Sequence, residues 1–199
     1  MSLHILKTPI SREEIQKIKL KDTVYITGTI VTARDQAHRR ALSYFREGKE
    51  LPFKLEERAL FHCGPVVKKN DGKWQVIAAG PTTSKRMDIF EEEFLKNSKT
   101  RVIIGKGGMG RKTTEAMAKY GAIYCAFTGG AAALGAKAIK DVKGVKWLDL
   151  GIPEAVWILE VKDFGPLIVA IDTHKNNLFI DIEKEVEMKK QKILAKLQG

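Results

Sequence analysis

The chain has 199 residues, 44% of them apolar, which suits one domain with a real core. Lys and Arg outnumber Asp and Glu by 35 to 24, and the formal charge of +11 allows nucleic acid, an acidic membrane, an anionic metabolite or an acidic protein as partner without selecting one. Two cysteines, Cys63 and Cys125, with no CxxC pair argue against a disulfide framework and against a zinc or iron–sulfur site built by this chain alone; with no long apolar run and no signal-type segment, the chain reads as cytoplasmic with buried thiols.

A short β-prone piece, His4–Leu6, opens the chain, and Ser11 with Glu14 forms a capping box for a helix over Arg12–Ile18. TVYITGTIVT, Thr23–Thr32, alternates and is β-branched, so it reads as a strand. Asp35 starts a helix whose apolar face is Ala37, Ala41, Leu42 and Phe45 and which Gly48 ends. Leu60–Cys63 and Trp74–Ala79 read as strands, with Asn70-Asp71-Gly72 between them as a hairpin signal. Thr82, Thr83 or Ser84 caps a helix over Met87–Asn97. Val102–Ile104 is a strand, followed by a glycine-rich turn and a helix over Thr113–Tyr120 that Gly121 stops.

Ala122–Phe127 reads as a buried strand, and Thr128-Gly129-Gly130 as a turn into a helix over Ala131–Lys137. Val142–Leu148, Trp157–Val161 and Leu167–Ile171 are further strands, and Asn176-Asn177 marks a turn before Leu178-Phe179-Ile180. Residues 182–199 form a C-terminal surface helix. The whole is a single α/β domain with mixed sheets that does not follow a simple doubly wound order.

The stretch RVIIGKGGMGRKTT, Arg101–Thr114, is strand, glycine turn and basic helix start, a geometry that favours an anion. Gly105, Gly107 and Gly110 spell G-x-G-x-x-G, yet the next strand carries no acidic residue for a ribose. Read as a phosphate loop, the stretch has Arg111 where Lys belongs and Lys112-Thr113 one residue late. Three other strand ends are similarly furnished: Arg34, Asp35 and His38 after one strand, Thr82, Thr83 and Arg86 after another, Gly129 and Gly130 after a third. Ligands of α/β sheets gather at carboxyl ends of strands. Basic residues converging there without aromatics suit a small dicarboxylate better than nucleic acid, which needs stacking platforms. The rival of another class is a basic nucleic-acid- or nucleotide-binding domain.

The pieces TGTIVTARDQAHRR, HCGPVV, AAGPTTSKRMD, IIGKGGMG, YGAIYCAFTGGAAAL and GIPEAVWILEVKDFGPLIVAID appear in this order. Together they resemble the β subunit of two-subunit class I fumarate hydratases and L(+)-tartrate dehydratases, and the C-terminal domain of single-chain class I fumarases. The resemblance implies a swivelling β/β/α domain. It implies a hydro-lyase that reversibly hydrates fumarate to L-malate, with L(+)-tartrate dehydration as the alternative. It also implies a partner α subunit, in a heterodimer or heterotetramer, that carries a 4Fe–4S cluster on its own cysteines, so that this chain binds no metal by itself and is active only in the complex. By motif, Arg34, Arg86 and Lys106 would hold substrate carboxylates, and Thr82 would move the proton at the carbon beside one of them. Asp35, His38, Thr83, Gly107, Gly129 and Gly130 would support these groups. Where single-chain fumarases read GRMD and KGNRS, this chain has Lys85-Arg86-Met87-Asp88 and Lys106-Gly107-Gly108-Met109, closer to the two-subunit branch.

Overall fold

The computed structural model describes residues 1–197. In chain order the elements are β1 (Leu3–Lys7), α1 (Arg12–Gln16), β2 (Thr23–Thr32), α2 (Asp35–Arg46), β3 (Ala59–Phe61), β4 (Val66–Asn70) and β5 (Lys73–Ala78). They continue with α3 (Glu91–Ser98), β6 (Val102–Gly105), α4 (Arg111–Tyr120), β7 (Ile123–Ala126), α5 (Ala132–Ala138), β8 (Ile139–Lys146), β9 (Val156–Ile171) and α6 (Leu178–Leu197). One sheet runs β1-β2-β3-β6-β7-β9-β8, and a further pairing of β2 with β9 closes it into a barrel. Strands β2, β3, β6 and β7 are parallel neighbours, while β9 runs antiparallel to both β7 and β2. The carboxyl ends of four strands therefore share one rim. Closure gives each barrel strand a partner on both sides and leaves β1 and β8 as the outer strands of the sheet.

Period-two alternation sorts the side chains of each parallel strand. Ala59, Phe61, Val102, Ile104, Ile123 and Cys125 point into the barrel, where they meet Ile26, Ile30, Trp157 and Phe164. Leu60 points outward onto Ala37, Ala41 and Leu42 of α2 and Phe94 of α3. Ile103 and Tyr124 point outward onto Leu95 of α3 and Ala116 and Met117 of α4. Burial on both faces is why these strands read as nearly continuous apolar runs. The β4–β5 hairpin lies against the barrel through Val67, Trp74 and Val76, with the Trp74 and Trp157 rings edge to face at 5.2 Å. Layers of hairpin, barrel and helices give the expected α/β architecture with mixed sheets. Truncating a fully buried side chain such as Trp157 to alanine costs about 3–5 kcal/mol in such a core.

Several boundaries differ from the sequence reading. The hairpin at Asn70-Asp71-Gly72 joins β5 to β4, not to β3, which pairs inside the barrel. Trp157–Val161 and Leu167–Ile171 are two parts of the single strand β9. Thr82, Thr83 and Ser84 do not cap a helix through their side chains: a one-turn 3-10 segment, Ser84–Arg86, intervenes and α3 begins at Glu91. Helix α4 begins two residues early, at Arg111. The C-terminal helix begins at Leu178, because the Asn177 side-chain oxygen accepts the N–H groups of Phe179 and Ile180 at 3.0 and 3.3 Å. Its Ile182, Val186, Met188 and Ile193 are exposed. The end of that expected helix, residues 198 and 199, lies outside the described residues. Among the described residues no helix is long and apolar enough to cross a membrane.

Candidate functional site

The rim made by β2, β3, β6 and β7 collects the junctions singled out in the sequence, because parallel strands present their carboxyl ends together. Backbone hydrogen bonds lace it: Ala33 N–H to Phe61 O at 3.1 Å, His62 N–H to Ile104 O at 2.8 Å, and Phe127 N–H to Gly105 O at 2.8 Å. The segment after β5 threads into this lacing. Thr82 N–H donates to His62 O at 2.7 Å, Lys106 N–H to Thr82 O at 3.2 Å, and Ser84 N–H to Lys106 O at 2.9 Å. Thr82 and Lys106, 24 positions apart by number, are thus strapped to each other by main chain.

Arg86, at the end of the 3-10 turn, gathers two further residues. Its Nε and Nη2 donate to Asp35 Oδ1 and Oδ2 at 3.3 and 3.0 Å, and Nη2 also donates to Thr82 Oγ1 at 3.1 Å. Burial would raise the Asp35 carboxyl, but the Arg86 hydrogen bond, the helix-start N–H and the charges of Arg86 and Arg34 hold it below the usual carboxylate range. Arg34, the residue just before α2, has its Nε 3.2 Å from Glu154 Oε1, and the second Glu154 oxygen accepts the Gln36 N–H at 2.9 Å. Gly64 lets this arginine lie flat: a Cβ there would stand 2.5 Å from Pro153 O and 2.8 Å from Arg34 Nη1. The Lys106 side chain is exposed, and its Cδ passes 4.0 Å from the space where a Cβ on Gly129 would sit. Gly107 has φ of +74°, so the chain turns away from the lysine at a residue that tolerates it. Thr83 is half-buried on the same bridge to Lys106, and Gly129 and Gly130 are exposed at the rim beyond it.

The anion at the glycine-rich turn is supplied by the chain itself. Asp88 Oδ1 accepts the Gly110 N–H at 2.8 Å and the Thr113 hydroxyl at 2.6 Å, occupying the N-terminus of α4. The geometry that suggested a phosphate cradle is an internal cap. What remains open on this junction is Lys106, one residue beyond β6.

Beneath the rim lies a fully buried polar cluster. His38 on α2, His62 just past β3, Ser84 and Glu91 at the start of α3 are all 0% exposed. His62 Nε2 is 3.1 Å, and His38 Nε2 3.6 Å, from Glu91 Oε1. His38 Nδ1 donates to the Arg34 carbonyl at 2.8 Å, and His62 Nδ1 lies 2.9 Å from Ser84 Oγ. Tyr124 OH is 3.0 Å from Ser84 Oγ and 2.8 Å from the Gly107 carbonyl that accepts from it. A Cβ on Gly105 would collide with Ser84 Oγ, so glycine is required where β6 passes this cluster. Burial pushes the His62 imidazole toward its neutral form. Burial would raise Glu91, but the His38 and His62 rings beside its carboxylate hold it down to about 2.

The residues named from the sequence fall into two groups. Arg34, Asp35, Thr82, Arg86 and Lys106 meet at the rim. His38 supports Arg34 through its backbone carbonyl, with its ring turned away from solvent. The sequence reading did not single out His62, Glu91, Tyr124 or Glu154, and took Ser84 only as a candidate helix cap. His62 and Glu154 stand inside the HCGPVV and GIPEAV pieces, and Glu91 is hidden in a run of three glutamates. As for a cluster on this chain, both cysteines lie inside the barrel. Burial pushes the Cys63 thiol up to about 12 and Cys125 higher still. These thiols do not fit as iron–sulfur ligands.

The sequence pattern of the Fumarase C-terminus family matches residues 2–182, and the chain belongs to that family. Among its relatives, L(+)-tartrate dehydratase subunit beta of Escherichia coli (strain K12) is 46% identical over 180 residues, covering 90% of this chain and 88% of the relative. The same-named subunit of Shigella sonnei (strain Ss046) matches equally, at 46% over 180 residues. A protein of Geobacillus stearothermophilus, provisionally named a class I fumarate hydratase, is 43% identical over 180 residues, 90% of this chain but 34% of the relative. Both named activities are hydro-lyase reactions.

Proposed function

We propose that this chain is the β subunit of a two-subunit hydro-lyase that reversibly hydrates fumarate to L-malate. The subunit-beta naming of full-length relatives and the short coverage of a single-chain one support a partner subunit. On this reading that α subunit carries the 4Fe–4S cluster, which would act as a Lewis acid on the substrate hydroxyl. The chemistry assigned to this chain is the other half of the reaction.

Read from malate, a proton must leave a carbon of very high pKa, and the charge left behind must flow into the neighbouring carboxylate. Arg34 and Lys106 hold the carboxylates and stabilise that charge, the kind of preorganised electrostatics that is usually the largest contribution to such a barrier. Thr82 takes the proton. A neutral hydroxyl is a poor base, so Oγ1 takes the proton as an alkoxide whose own hydrogen has already passed to solvent at the half-buried rim, and Arg86 is the help this needs: Nη2 donates to Oγ1 at 3.1 Å and stabilises the negative charge until the proton arrives. Asp35 keeps the guanidinium in place. Main-chain bonds from Thr82 to His62 and Lys106 stop the hydroxyl from drifting. The observation that carries the reading is this convergence of Arg86, Thr82 and Lys106 at the parallel-strand rim.

A second reading, L(+)-tartrate dehydration, is favoured by the names of the 46%-identical relatives. The test is the kcat/KM of the reconstituted complex for L-malate, fumarate and L(+)-tartrate. Preference for the malate–fumarate pair supports the first reading, and preference for tartrate moves the assignment to the second. A complex that turns over none of the three overturns both.

A further inference from the structure

The buried cluster of His38, Glu91 and His62 is larger than a core needs. Its atoms also constrain one another. His38 Nδ1 is 2.8 Å from a backbone carbonyl, which only accepts, so that nitrogen carries a proton. A neutral His38 would then aim the bare lone pair of Nε2 at the Glu91 carboxylate 3.6 Å away. His62 has an alternative: Nε2–H toward Glu91 at 3.1 Å, with Nδ1 accepting from the Ser84 hydroxyl at 2.9 Å. His38 Nε2, His62 Nε2 and both Glu91 oxygens are buried with no partner in hydrogen-bonding geometry, so only their closeness to one another compensates the carboxylate. An uncompensated carboxylate sealed from water is strongly unfavourable. One extra proton on His38 removes both difficulties at once.

We propose that Glu91 is a positioning residue, the centre of a buried clamp made of His38 imidazolium, Glu91 carboxylate and neutral His62, which holds the Arg34 and Arg86 junctions in register. Each arm reaches one junction. His38 holds the Arg34 carbonyl just before α2. His62, whose own carbonyl accepts the Thr82 N–H, holds Ser84 in the turn that carries Arg86. Tyr124, 3.0 Å from Ser84 Oγ, gives its one hydrogen to the Gly107 carbonyl beside Lys106 and so stands outside the clamp. The rings of Phe94 and Phe90, at 4.7 and 6.0 Å from the His38 ring, keep water out. The clamp itself is independent of the substrate; its effect on turnover rests on the hydro-lyase reading above.

Glutamine at position 91 separates a hydrogen-bonding role from a filling one. Its amide oxygen accepts from His62 and its NH₂ donates to a His38 that has shed its Nε2 proton, so the clamp survives in neutral form. In ¹⁵N spectra of the full chain at neutral pH, His38 should carry protons on both nitrogens and His62 on Nε2. In Glu91→Gln, His38 should keep only its Nδ1 proton. In the reconstituted complex, Glu91→Gln should stay within about tenfold of the unmutated kcat/KM, whereas Glu91→Leu, which fills the space, should lose about a hundredfold, chiefly through KM. A neutral His38 in the unmutated chain overturns the proposal, as does a Glu91→Leu complex of undiminished kcat/KM. The three side chains bring ligand atoms within 4.8 Å of one another, so stoichiometric metal in the purified chain would also overturn it in favour of a metal centre. The spectra need no substrate, so their failure leaves the hydro-lyase reading intact, and an unmutated complex inactive on all dicarboxylates sinks that reading while the spectra still decide the clamp.

Discussion

Replacing Arg86 with alanine removes a guanidinium that holds both Asp35, at 3.3 and 3.0 Å, and Thr82, at 3.1 Å. Its effect on folding is small. The side chain is 45% exposed, and an ion pair that solvent screens to this degree contributes about 0–1 kcal/mol. The melting temperature of the complex should therefore fall by no more than about 4 °C. Its effect on turnover should be large, because in the proposed mechanism the same group supports the negative charge on Thr82. Removing one such donor costs about 3 kcal/mol or more, which at 1.36 kcal/mol per decade is about a 150-fold loss in kcat/KM. Arg86→Lys should fall between: it restores charge but cannot reach Asp35 and Thr82 together with a single ammonium. The assay is steady-state kcat/KM on L-malate with saturating partner subunit, alongside a thermal melt. A variant with near-wild-type kcat/KM refutes the role given to Arg86, and a loss of activity matched by a collapse in melting temperature refutes the separation of catalysis from folding.

Asp88→Ala strips the internal anion from the start of α4 and should lower stability by about 0.5–2 kcal/mol, read as a shift in denaturant midpoint at constant slope. Asp22 is buried, which would raise its carboxyl, but the N–H groups of Ser2 and Lys19 and the His4 ring hold it down to about 2. Because the folded value lies below the unfolded one, its stabilising contribution is complete above pH about 4 and fades as pH falls toward about 2. Asp22→Asn should destabilise the chain at neutral pH and flatten its pH dependence within that acid window. Cys63 and Cys125 should resist alkylation in the native chain and react only on unfolding; rapid native labelling would contradict their place in the barrel.

The rim was legible because its signals are local. Strands β2, β5 and β6 each run into a stretch of glycine, hydroxyl or basic residues, so Arg34, Thr82, Arg86 and Lys106 could be named from position and assigned roles by resemblance. What joins them is not local. Thr82 reaches Lys106 through backbone pairing between the segment after β5 and the end of β6, which no spacing announces. Glu91 shares its stretch with Glu92 and Glu93, and only the fold decides which of the three turns inward. Strand β9 reads as two strands because Lys162 and Asp163 interrupt its apolar pattern. They lie exposed at a bend where the register with β2 shifts, Asp163 has φ of +52°, and the inward alternation resumes at Phe164. Strand β4 hides for the opposite reason: VVKKN lies on the surface, mostly exposed, and offers little apolar pattern to read.

Co-expression of this chain with an iron–sulfur partner subunit, followed by assay of each chain alone and of the two together on L-malate, fumarate and L(+)-tartrate, tests the central claim most directly. Interconversion of malate and fumarate by the assembled pair, absent from either chain alone, is the predicted result. Turnover by this chain in isolation, or an assembled pair inert toward all three acids, would contradict it.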